Sequence, residues 1–226
     1  MKRGSFLFLA LFIAACANPP PPQENHHSIR YLALGDSYTS GENVDESARW
    51  PVQLTRALRA DGFDVGDPLI IAQTGWTTGN LAQAIGQENP QPSYRLVTLL
   101  IGVNNQYQGR SEEEYRQEFV TLLHRARDLA GGNDHHVIVL SIPDWGVTPY
   151  AARLGADPSV IAAAIDRFNA INRAETAKVG AAYVDVTKIS RARRDLVADD
   201  GLHPSEAMYQ QWMKLTLPAA ETALRN

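Results

Sequence analysis

The sequence predicts a three-layer α/β/α sandwich built around a central parallel sheet of five strands. From residue 29 onward, short apolar runs alternate with longer segments of helical periodicity, as in a sheet whose strands are joined by crossover helices. The runs are rich in β-branched residues or leucine without strict alternation, which is typical of strands buried on both faces. A length of 226 residues with 44% hydrophobic content is enough for one well-buried domain. The predicted strands span residues 29–34, 69–72, 96–101, 137–142 and 181–186.

Capping signals predict helices in the segments between these runs. Trp50 followed by Pro51 places a proline at a favourable first helical position. Ser111 followed three residues later by Glu114 fits a capping box, and the pair of glycines at 131–132 ends that helix. Two further helices are expected to open at Asp157 and at Ser205.

The charge balance argues against a nucleic-acid partner. The chain has 21 basic and 25 acidic residues, a net charge of -4, and lacks the basic excess that binds phosphate backbones. The three arginines at positions 191, 193 and 194 are interpreted as a solvated face, and binding of an anionic group of a substrate is the alternative.

The first 15 residues are predicted to be a lipoprotein signal peptide. Lys2 and Arg3 form a positive start, and the apolar stretch at 6–15 is short for a membrane span. Residues 13–16 resemble a bacterial lipobox, which implies lipidation of Cys16, the only cysteine of the chain. An ordinary signal peptide with an incidental cysteine is the alternative. Ala17 after the cysteine is similar to the signal for outer-membrane sorting in a Gram-negative host.

Residues 16–28 are interpreted as a Pro-rich tether that holds a catalytic domain, residues 29–226, away from the membrane. Lipidation of Cys16 would leave no thiol for a disulfide, for thiolate catalysis or for a cysteine metal site. No metal site is predicted at the histidines of the tether or of the domain surface.

Polar residues follow the carboxyl ends of the predicted strands, where open parallel sheets bind their ligands. Gly35-Asp36-Ser37 ends the first strand, and Thr74-Gly75-Trp76 follows the second. Gly102-Val103-Asn104-Asn105 follows the third, and Pro143-Asp144-Trp145-Gly146 follows the fourth. The segment Asp199-Asp200-Gly201-Leu202-His203 precedes the last helix.

These residues include every part of an acyl-transfer site. Serine becomes an effective nucleophile when an adjacent base takes its proton, and histidine is the best such base near neutral pH. A carboxylate then holds the tautomer of the imidazole. Backbone N–H groups and an amide side chain can bind the oxyanion of a tetrahedral intermediate. The candidates for these parts are Ser37, His203, Asp200, Gly75 and Asn104.

Taken singly, these residues have simpler explanations. Ser37 could be a turn residue. Asp199 competes with Asp200 as the acid, and Asn105 competes with Asn104 as the amide donor. The aromatic residues that follow the strands could line a cleft or could close the edge of the core. They are Trp76, Tyr107, Trp145 and Tyr150.

Together the blocks resemble the SGNH, or GDSL-type, hydrolase superfamily of esterases and lipases. Gly35-Asp36-Ser37 is similar to its first block, Gly75 to its second, Gly102-Val103-Asn104 to its third and Asp200-Gly201-Leu202-His203-Pro204 to its last. The blocks occur in the family's order over residues 35–204, and the resemblance implies a flavodoxin-like fold. Asn105 departs from the pattern, because the family commonly has an aspartate at that place.

The resemblance also implies roles for individual residues. Ser37 would be the nucleophile, and its own N–H, the N–H of Gly75 and the side chain of Asn104 would form the oxyanion hole. His203 would act as general base and then as general acid, oriented by Asp200. No cofactor is implied.

The resulting prediction is a lipid-anchored envelope hydrolase that cleaves carboxylic esters through an acyl-serine intermediate. One alternative is a carbohydrate O-deacetylase of the same superfamily, and another is a surface module that binds a ligand without catalysis. The sequence leaves open the acyl length, the choice among lipid, glycan and thioester substrates, and the oligomeric state.

Overall fold

The computed structural model describes Met1 and residues 28–226. The predicted signal peptide beyond Met1, Cys16 and the tether up to residue 27 lie outside the described residues, and those predictions stay predictions. Within residues 28–226, no helix combines the length and the apolar character needed to cross a membrane.

A single parallel sheet of five strands, in the order β2–β1–β3–β4–β5, runs through the middle of the domain. Every neighbouring pair is parallel, and each strand overlaps one of the apolar runs of the sequence. The predicted fold class is therefore confirmed. The strands are β1 (Tyr31–Asp36), β2 (Leu69–Gln73), β3 (Leu96–Leu100), β4 (Val137–Leu140) and β5 (Ala182–Val184).

Burial differs between the centre and the edges of this sheet. Every residue of β1, β3 and β4 is buried, as predicted. The prediction of burial on both faces is wrong for β2 and β5, where only Ile71 and Val184 are buried. These two strands are the edges of the sheet, so each is covered by one neighbouring strand instead of two.

Nine α-helices within residues 28–226 cover the two faces of the sheet. The contacts place α2 and α9 together on one face, whereas α5 packs against α3 and α7 on the other. Short 3₁₀ turns occur at Glu46–Ala48, Asp134–His136 and Trp145–Val147. The helices are α1 (Ser37–Ser40), α2 (Trp50–Ala60), α3 (Thr78–Glu88), α4 (Val103–Tyr107), α5 (Glu112–Leu129), α6 (Pro149–Arg153), α7 (Pro158–Val179), α8 (Thr187–Ala192) and α9 (Glu206–Arg225).

The capping residues predicted from the sequence lie at the helix starts. Asp157 and Ser205 each accept a backbone N–H at the first turns of α7 and α9. The capping box predicted for α5 is only half formed. Ser111 Oγ accepts the N–H of Glu114 at 3.1 Å, but the carboxylate of Glu114 turns to the guanidinium of Arg110.

The strand order places the switch point of the sheet between β1 and β3. The chain leaves β1 toward β2 on one side and later returns to form β3 on the other side. In open α/β sheets the crevice beyond the carboxyl ends of such a strand pair is where ligands bind. Ser37 follows β1 directly, and Asn104 lies in the first turn of α4, four positions after the end of β3.

Candidate active site

A cleft of about 160 Å³ opens at the carboxyl end of the sheet. Four of the five residues proposed for chemistry line it, and each comes from a different segment of the chain. They are Ser37 from α1, Gly75 after β2, Asn104 from α4 and His203 before α9. The fifth residue, Asp200, lies behind His203 and hydrogen-bonds to its ring.

Ser37 is placed by a tight turn from β1 into α1. A Cβ on Gly35 would lie 2.2 Å from Thr39 Oγ1 and 2.6 Å from the carbonyl oxygen of Leu100, so only glycine fits at that position. Asp36 then caps α1 by accepting the N–H of Tyr38 at 3.0 Å. Ser37 is therefore the first helical residue, and its backbone N–H has no intrahelical partner.

The carboxylate of Asp36 is fully buried beneath this turn. Its Oδ2 has no hydrogen-bond partner among the described residues, while Oδ1 accepts the N–H of Tyr38. Burial raises the pKa of Asp36 to about 7, and the hydrogen bond from Tyr38 opposes that rise. Ionisation of Asp36 therefore costs free energy in the folded protein.

Asp200 and His203 form a closed pair on the loop before α9. His203 Nδ1 lies 2.5 Å from Asp200 Oδ2, and Oδ1 accepts the N–H groups of Leu202 and His203 at 2.9 and 3.0 Å. Burial of Asp200 opposes its ionisation, but the hydrogen bonds from His203 and from the backbone lower its pKa below the usual value. An ionised carboxylate can only accept, so Nδ1 of His203 carries the proton and Nε2 is left as the base.

Asp199 stands outside this arrangement. Its side chain is exposed, whereas Asp200 makes the contact with the imidazole. The spacing of three residues allows one carboxylate to accept the backbone of the loop and the ring together.

Gly75 and Gly102 shape the two loops that carry the proposed oxyanion donors. Gly75 has a φ of +83° with open space around it, so its backbone conformation and not crowding favours glycine. Gly102 has a φ of +125°, and a Cβ there would lie 2.4 Å from Tyr115 Oη. A larger residue at either position would strain the backbone beside the cleft.

Asn104 and Asn105 point to different environments. Asn104 Nδ2 donates to the carbonyl of Trp76 at 2.9 Å, which uses one of its two N–H groups and orients the amide toward the Gly75 loop. Asn105 is buried and does not line the cleft. Its Oδ1 accepts the N–H of Thr78 at 3.0 Å, and its Nδ2 lies 2.6 Å from Thr78 Oγ1.

This geometry explains the departure from the family pattern at Asn105. The amide Nδ2 also lies 3.3 Å from the carboxylate oxygen Oε2 of Glu118 on α5. An aspartate at position 105 would bring a second negative charge against Glu118, whereas the amide donates to it. Asn105 therefore ties α4 to the start of α3 and to α5.

Aromatic residues form one wall of the cleft. Tyr107, Trp145 and Tyr150 line it, and the rings of Tyr107 and Trp145 meet edge-to-face with centroids 5.4 Å apart. Trp145 Nε1 donates to Gln106 Oε1 at 2.8 Å. A hydrogen bond with Tyr150 raises the pKa of Tyr107. Trp76 instead packs against the hydrophobic core.

The loop that carries Trp145 is held by an ion pair that the sequence analysis missed. Asp144 is fully buried, and its Oδ2 lies 2.7 Å from Nε of Arg191, which also reaches Asp166 at 2.8 Å. The interpretation of Arg191 as part of a solvated face is therefore wrong. The sequence does carry a signal for the turn that contains Asp144, because an aspartate two residues before a glycine is typical of such turns. Asp144 Oδ1 accepts the N–H of Gly146 at 2.9 Å there.

A second, larger groove has no comparable chemistry. It measures about 540 Å³ and lies along α2 and the segment before β2. Four of its charged groups are paired within the groove, Arg49 with Glu46 and Arg59 with Asp67, and Arg56 donates to the carbonyl oxygen of Ser47 at 2.9 Å. Within residues 28–226, no cluster of three or more His, Asp or Glu side chains is arranged to hold a metal ion.

The comparisons with known proteins identify the family and agree with the fold. Residues 33–211 match the GDSL-like Lipase/Acylhydrolase family, and the chain belongs to that family. The predicted resemblance to SGNH/GDSL hydrolases is thereby confirmed. No curated protein sequence matches the chain.

Several solved structures share the fold at low sequence identity. TesA has a TM-score of 0.67 and 20% identity, over 86% of this chain and 99% of that chain. The lipase/acylhydrolase from Enterococcus faecalis has a TM-score of 0.67 and 18% identity, over 87% and 96%. AlinE4, an SGNH-hydrolase family esterase, has a TM-score of 0.61 and 24% identity, over 87% and 97%. At these identities the similarity establishes the fold, and the roles of the individual residues stay predictions.

Replacement of Asp36 by asparagine tests the cost of the buried acid. A carboxyl whose pKa rises from an ordinary value of about 3.9 to about 7 on folding binds more protons in the folded than in the unfolded state between those values. Wild-type stability should therefore fall as the pH rises through this window. Asp36→Asn keeps the cap and removes the charge, so it should be more stable than wild type at pH 8, on the order of a few kcal/mol, and similar at pH 4.

The measurement is the melting temperature of both proteins by calorimetry across this pH range. Asp157→Asn is the matched control, since Asp157 is an exposed cap whose hydrogen bonds with Ser159 lower its pKa. That variant should gain nothing as the pH rises. A difference between Asp36→Asn and wild type that stays constant with pH would contradict the argument.

Proposed function

We propose that this protein hydrolyses carboxylic esters through an acyl intermediate on Ser37. One observation carries the proposal. A single cleft is lined by Ser37, Gly75, Asn104 and His203, and Asp200 Oδ2 lies 2.5 Å from Nδ1 of His203. The side chains and backbone of the chain provide the nucleophile, the base and the donors, so the steps need no metal or cofactor.

In the first half of the reaction, Ser37 Oγ attacks the ester carbonyl while Nε2 of His203 takes the hydroxyl proton. The negative charge that builds on the carbonyl oxygen is bound by the N–H groups of Ser37 and Gly75 and by the amide of Asn104. The imidazolium gives its proton to the leaving alkoxide, and the alcohol departs. An acyl group is left on Ser37.

In the second half, His203 takes a proton from water, and the resulting hydroxide attacks the acyl carbon. The same donors bind the second oxyanion. The imidazolium then returns its proton to Ser37 Oγ as the acid leaves. Asp200 stays ionised throughout, which suits a carboxyl whose pKa is lowered by its hydrogen bonds.

The shape of the cleft supports a short acyl group as the preferred substrate. Its volume of about 160 Å³ is below the roughly 300–1,000 Å³ of pockets that enclose drug-sized ligands. Tyr107 and Tyr150 are joined by a side-chain hydrogen bond, and both line the cleft. A long chain would have to leave the cleft over this aromatic wall.

A carbohydrate O-deacetylase is the second candidate, and one observation favours it. Tyr107 lines the cleft and is 54% exposed as a residue, although tyrosines are usually more buried. An exposed aromatic face beside an acetyl-sized cleft suits a sugar ring that bears the ester. A module that binds without catalysis is less well supported, because the nucleophile, base and acid are all present and the base and acid are paired.

We also propose that Cys16 carries a lipid anchor and that the domain works at the bacterial cell envelope, at the outer membrane in a Gram-negative host. The support is the lipobox-like segment at 13–16 and the Pro-rich segment that separates it from β1. Each CH₂ of an acyl chain that is buried in the bilayer contributes about 0.8 kcal/mol of binding free energy, so two or more chains would hold the protein at the membrane.

Hydrolysis of p-nitrophenyl esters from acetyl to palmitoyl tests the main proposal. The full-length wild type should be most active on the short esters because the cleft is small, and Ser37→Ala should lose the activity. Ser40→Ala, the same change one turn along α1, is the matched control and should stay close to wild type. Equal activity in Ser37→Ala and wild type would remove the acyl-serine mechanism.

If no ester in this series is cleaved, acetylated sugars and a serine-directed fluorophosphonate probe separate the alternatives. Release of acetate from a sugar would support the deacetylase. Failure of the probe to label wild type would support the binding module.

Replacement of Asn104 by alanine tests the oxyanion hole. Loss of one donor typically costs about 2.7–4 kcal/mol of barrier, so kcat should fall about a hundredfold or more. Asn105→Ala removes buried hydrogen bonds outside the cleft and should lower the melting temperature more than it lowers kcat. A near wild-type kcat in folded Asn104→Ala would remove this residue from the mechanism.

Replacement of Cys16 by serine tests the anchor. After expression in a Gram-negative bacterium, the wild type should be found in the membrane fraction, and Cys16→Ser should shift to the soluble fraction or remain unprocessed. Metabolic labelling with a fatty acid should mark only the wild type. Equal membrane association and no label in either protein would contradict the proposal.

A further inference from the structure

The loop after α1 contacts Asp200, the acid of the proposed site. Asn43 Nδ2 donates to Asp200 Oδ2 at 2.7 Å, although the two residues are 157 positions apart in the chain. The same oxygen receives the proton of His203 Nδ1 at 2.5 Å. Asn43 therefore contacts the atom that orients the proposed base.

The backbone of this loop is tied to the proposed nucleophile. The N–H groups of Gly41 and Glu42 both donate to the carbonyl oxygen of Ser37, at 3.0 and 3.1 Å. Asn43 itself has a φ of +61°, a left-handed conformation that asparagine adopts more readily than most residues. The carboxylate of Glu42 accepts a hydrogen bond from Thr74 Oγ1, next to Gly75.

These contacts make the loop a link between three parts of the site. Its backbone holds Ser37, Glu42 reaches the segment of Gly75, and Asn43 reaches Asp200. A displacement of the acid relative to the nucleophile would therefore have to break the hydrogen bond of Asn43 or move the turn.

The carboxylate of Asp200 needs such an external contact. Rotation about the bond between Cβ and the carboxyl carbon of an aspartate is broad, so hydrogen bonds set the positions of its oxygens. Oδ1 accepts two backbone N–H groups of its own loop. Oδ2 is held by the imidazole that it is meant to orient and by Asn43, the partner that comes from a separate element.

We propose that Asn43 is a positioning residue for the Asp200–His203 pair: its amide fixes Oδ2 of the acid and moderates the negative charge that this oxygen presents to the imidazole. This inference rests on the proposed function, since it assigns Asn43 to the same site. The amide also keeps water from competing for the lone pair of Oδ2 that faces the loop.

Other titratable groups face the pair from several elements, and the substitutions below leave all of them in place. The ring of Tyr38 lies 5.8 Å from that of His203, and Arg153 donates to the carbonyl oxygen of Asp200 at 2.6 Å. Their contribution should therefore cancel when variants are compared with wild type. Tyr38 on α1 and Tyr209 on α9 interact electrostatically with Asp200, and these two tyrosines also interact with Asp36, Glu42 and Asp144.

The first test is Asn43→Gly in the full-length chain, because glycine accepts the left-handed backbone and removes only the amide. We expect kcat to fall about tenfold with little change in KM, since the base is less firmly oriented. The acidic limb of the pH–rate profile should move up by about half a pH unit, because more negative charge faces the protonated imidazole.

Asn89→Gly is the matched control. Asn89 is the other non-glycine residue with a left-handed backbone among residues 28–226, with a φ of +43° at the end of α3. This control makes the same chemical change away from the cleft and should leave kcat and the pH profile unchanged. If Asn43→Gly behaves like Asn89→Gly in both measurements, the proposal is wrong.

The second test is Asn43→Asp, which preserves the shape of the side chain. It places a second carboxylate against Oδ2 of Asp200, and we expect the acidic limb to move up by about one pH unit or more. A side chain at position 43 that did not face Oδ2 of Asp200 would leave the profile in place. An unchanged profile in Asn43→Asp would therefore also contradict the proposal.

A third measurement does not depend on catalysis. The ring protons of His203 can be titrated by NMR in a Ser37→Ala background, with the signal assigned by comparison with His203→Gln. Addition of Asn43→Gly should move the titration midpoint to higher pH, and addition of Asn89→Gly should not. An equal midpoint in the two double variants would overturn the proposal.

These readouts separate the inference from the proposed function. If wild type cleaves no ester or acetylated sugar but the NMR midpoint moves, the proposed function fails while the coupling of Asn43 to the pair stands. If wild type is an esterase and neither profile nor midpoint responds to Asn43, the function stands and Asn43 has no positioning role.

Discussion

Strands β1 and β3 lie side by side at the centre of the sheet, and the chain leaves them toward opposite edges. All other features of the site depend on this reversal, because it opens a crevice beyond the carboxyl ends of the two strands. Ser37 follows β1 directly, and Asn104 follows β3 after an isoleucine, a glycine and a valine. The register of the pair, with Gly35 opposite Leu100, then determines how close these two residues can come.

The cleft is held open by polar groups that are themselves buried. Asp36 caps α1 beside Ser37, Asn105 joins α4 to α3, and Asp144 with Arg191 holds the loop of Trp145. Burial of such groups is costly unless each is hydrogen-bonded or paired. The domain therefore uses polar contacts at the carboxyl end of its sheet, where loops must keep one shape, and apolar packing in the three central strands.

The fold and the candidate site were predictable to different degrees. Apolar runs revealed all five strands, since burial in a sheet demands that composition. They did not reveal that β2 and β5 are edges, because strand order is a property of pairing between distant segments. The pairing of Asp200 with His203 was predictable from the sequence because residues three positions apart can meet in a local turn. The contact of Asn43 with Asp200 had no signal in the sequence, because the two residues are far apart in the chain.

The sequence by itself determined the class of fold, the family and the set of candidate residues for acyl transfer, because these depend on composition, local caps and short motifs. The tertiary structure alone decided the role open to each neighbour of two pairs. Asn104 and not Asn105 lines the cleft, and Asp200 and not Asp199 contacts the ring of His203. It also decided that Arg191 is an internal partner of Asp144. The physical reason is that side-chain direction and ion pairing depend on which elements pack together, and that information is spread over the whole chain.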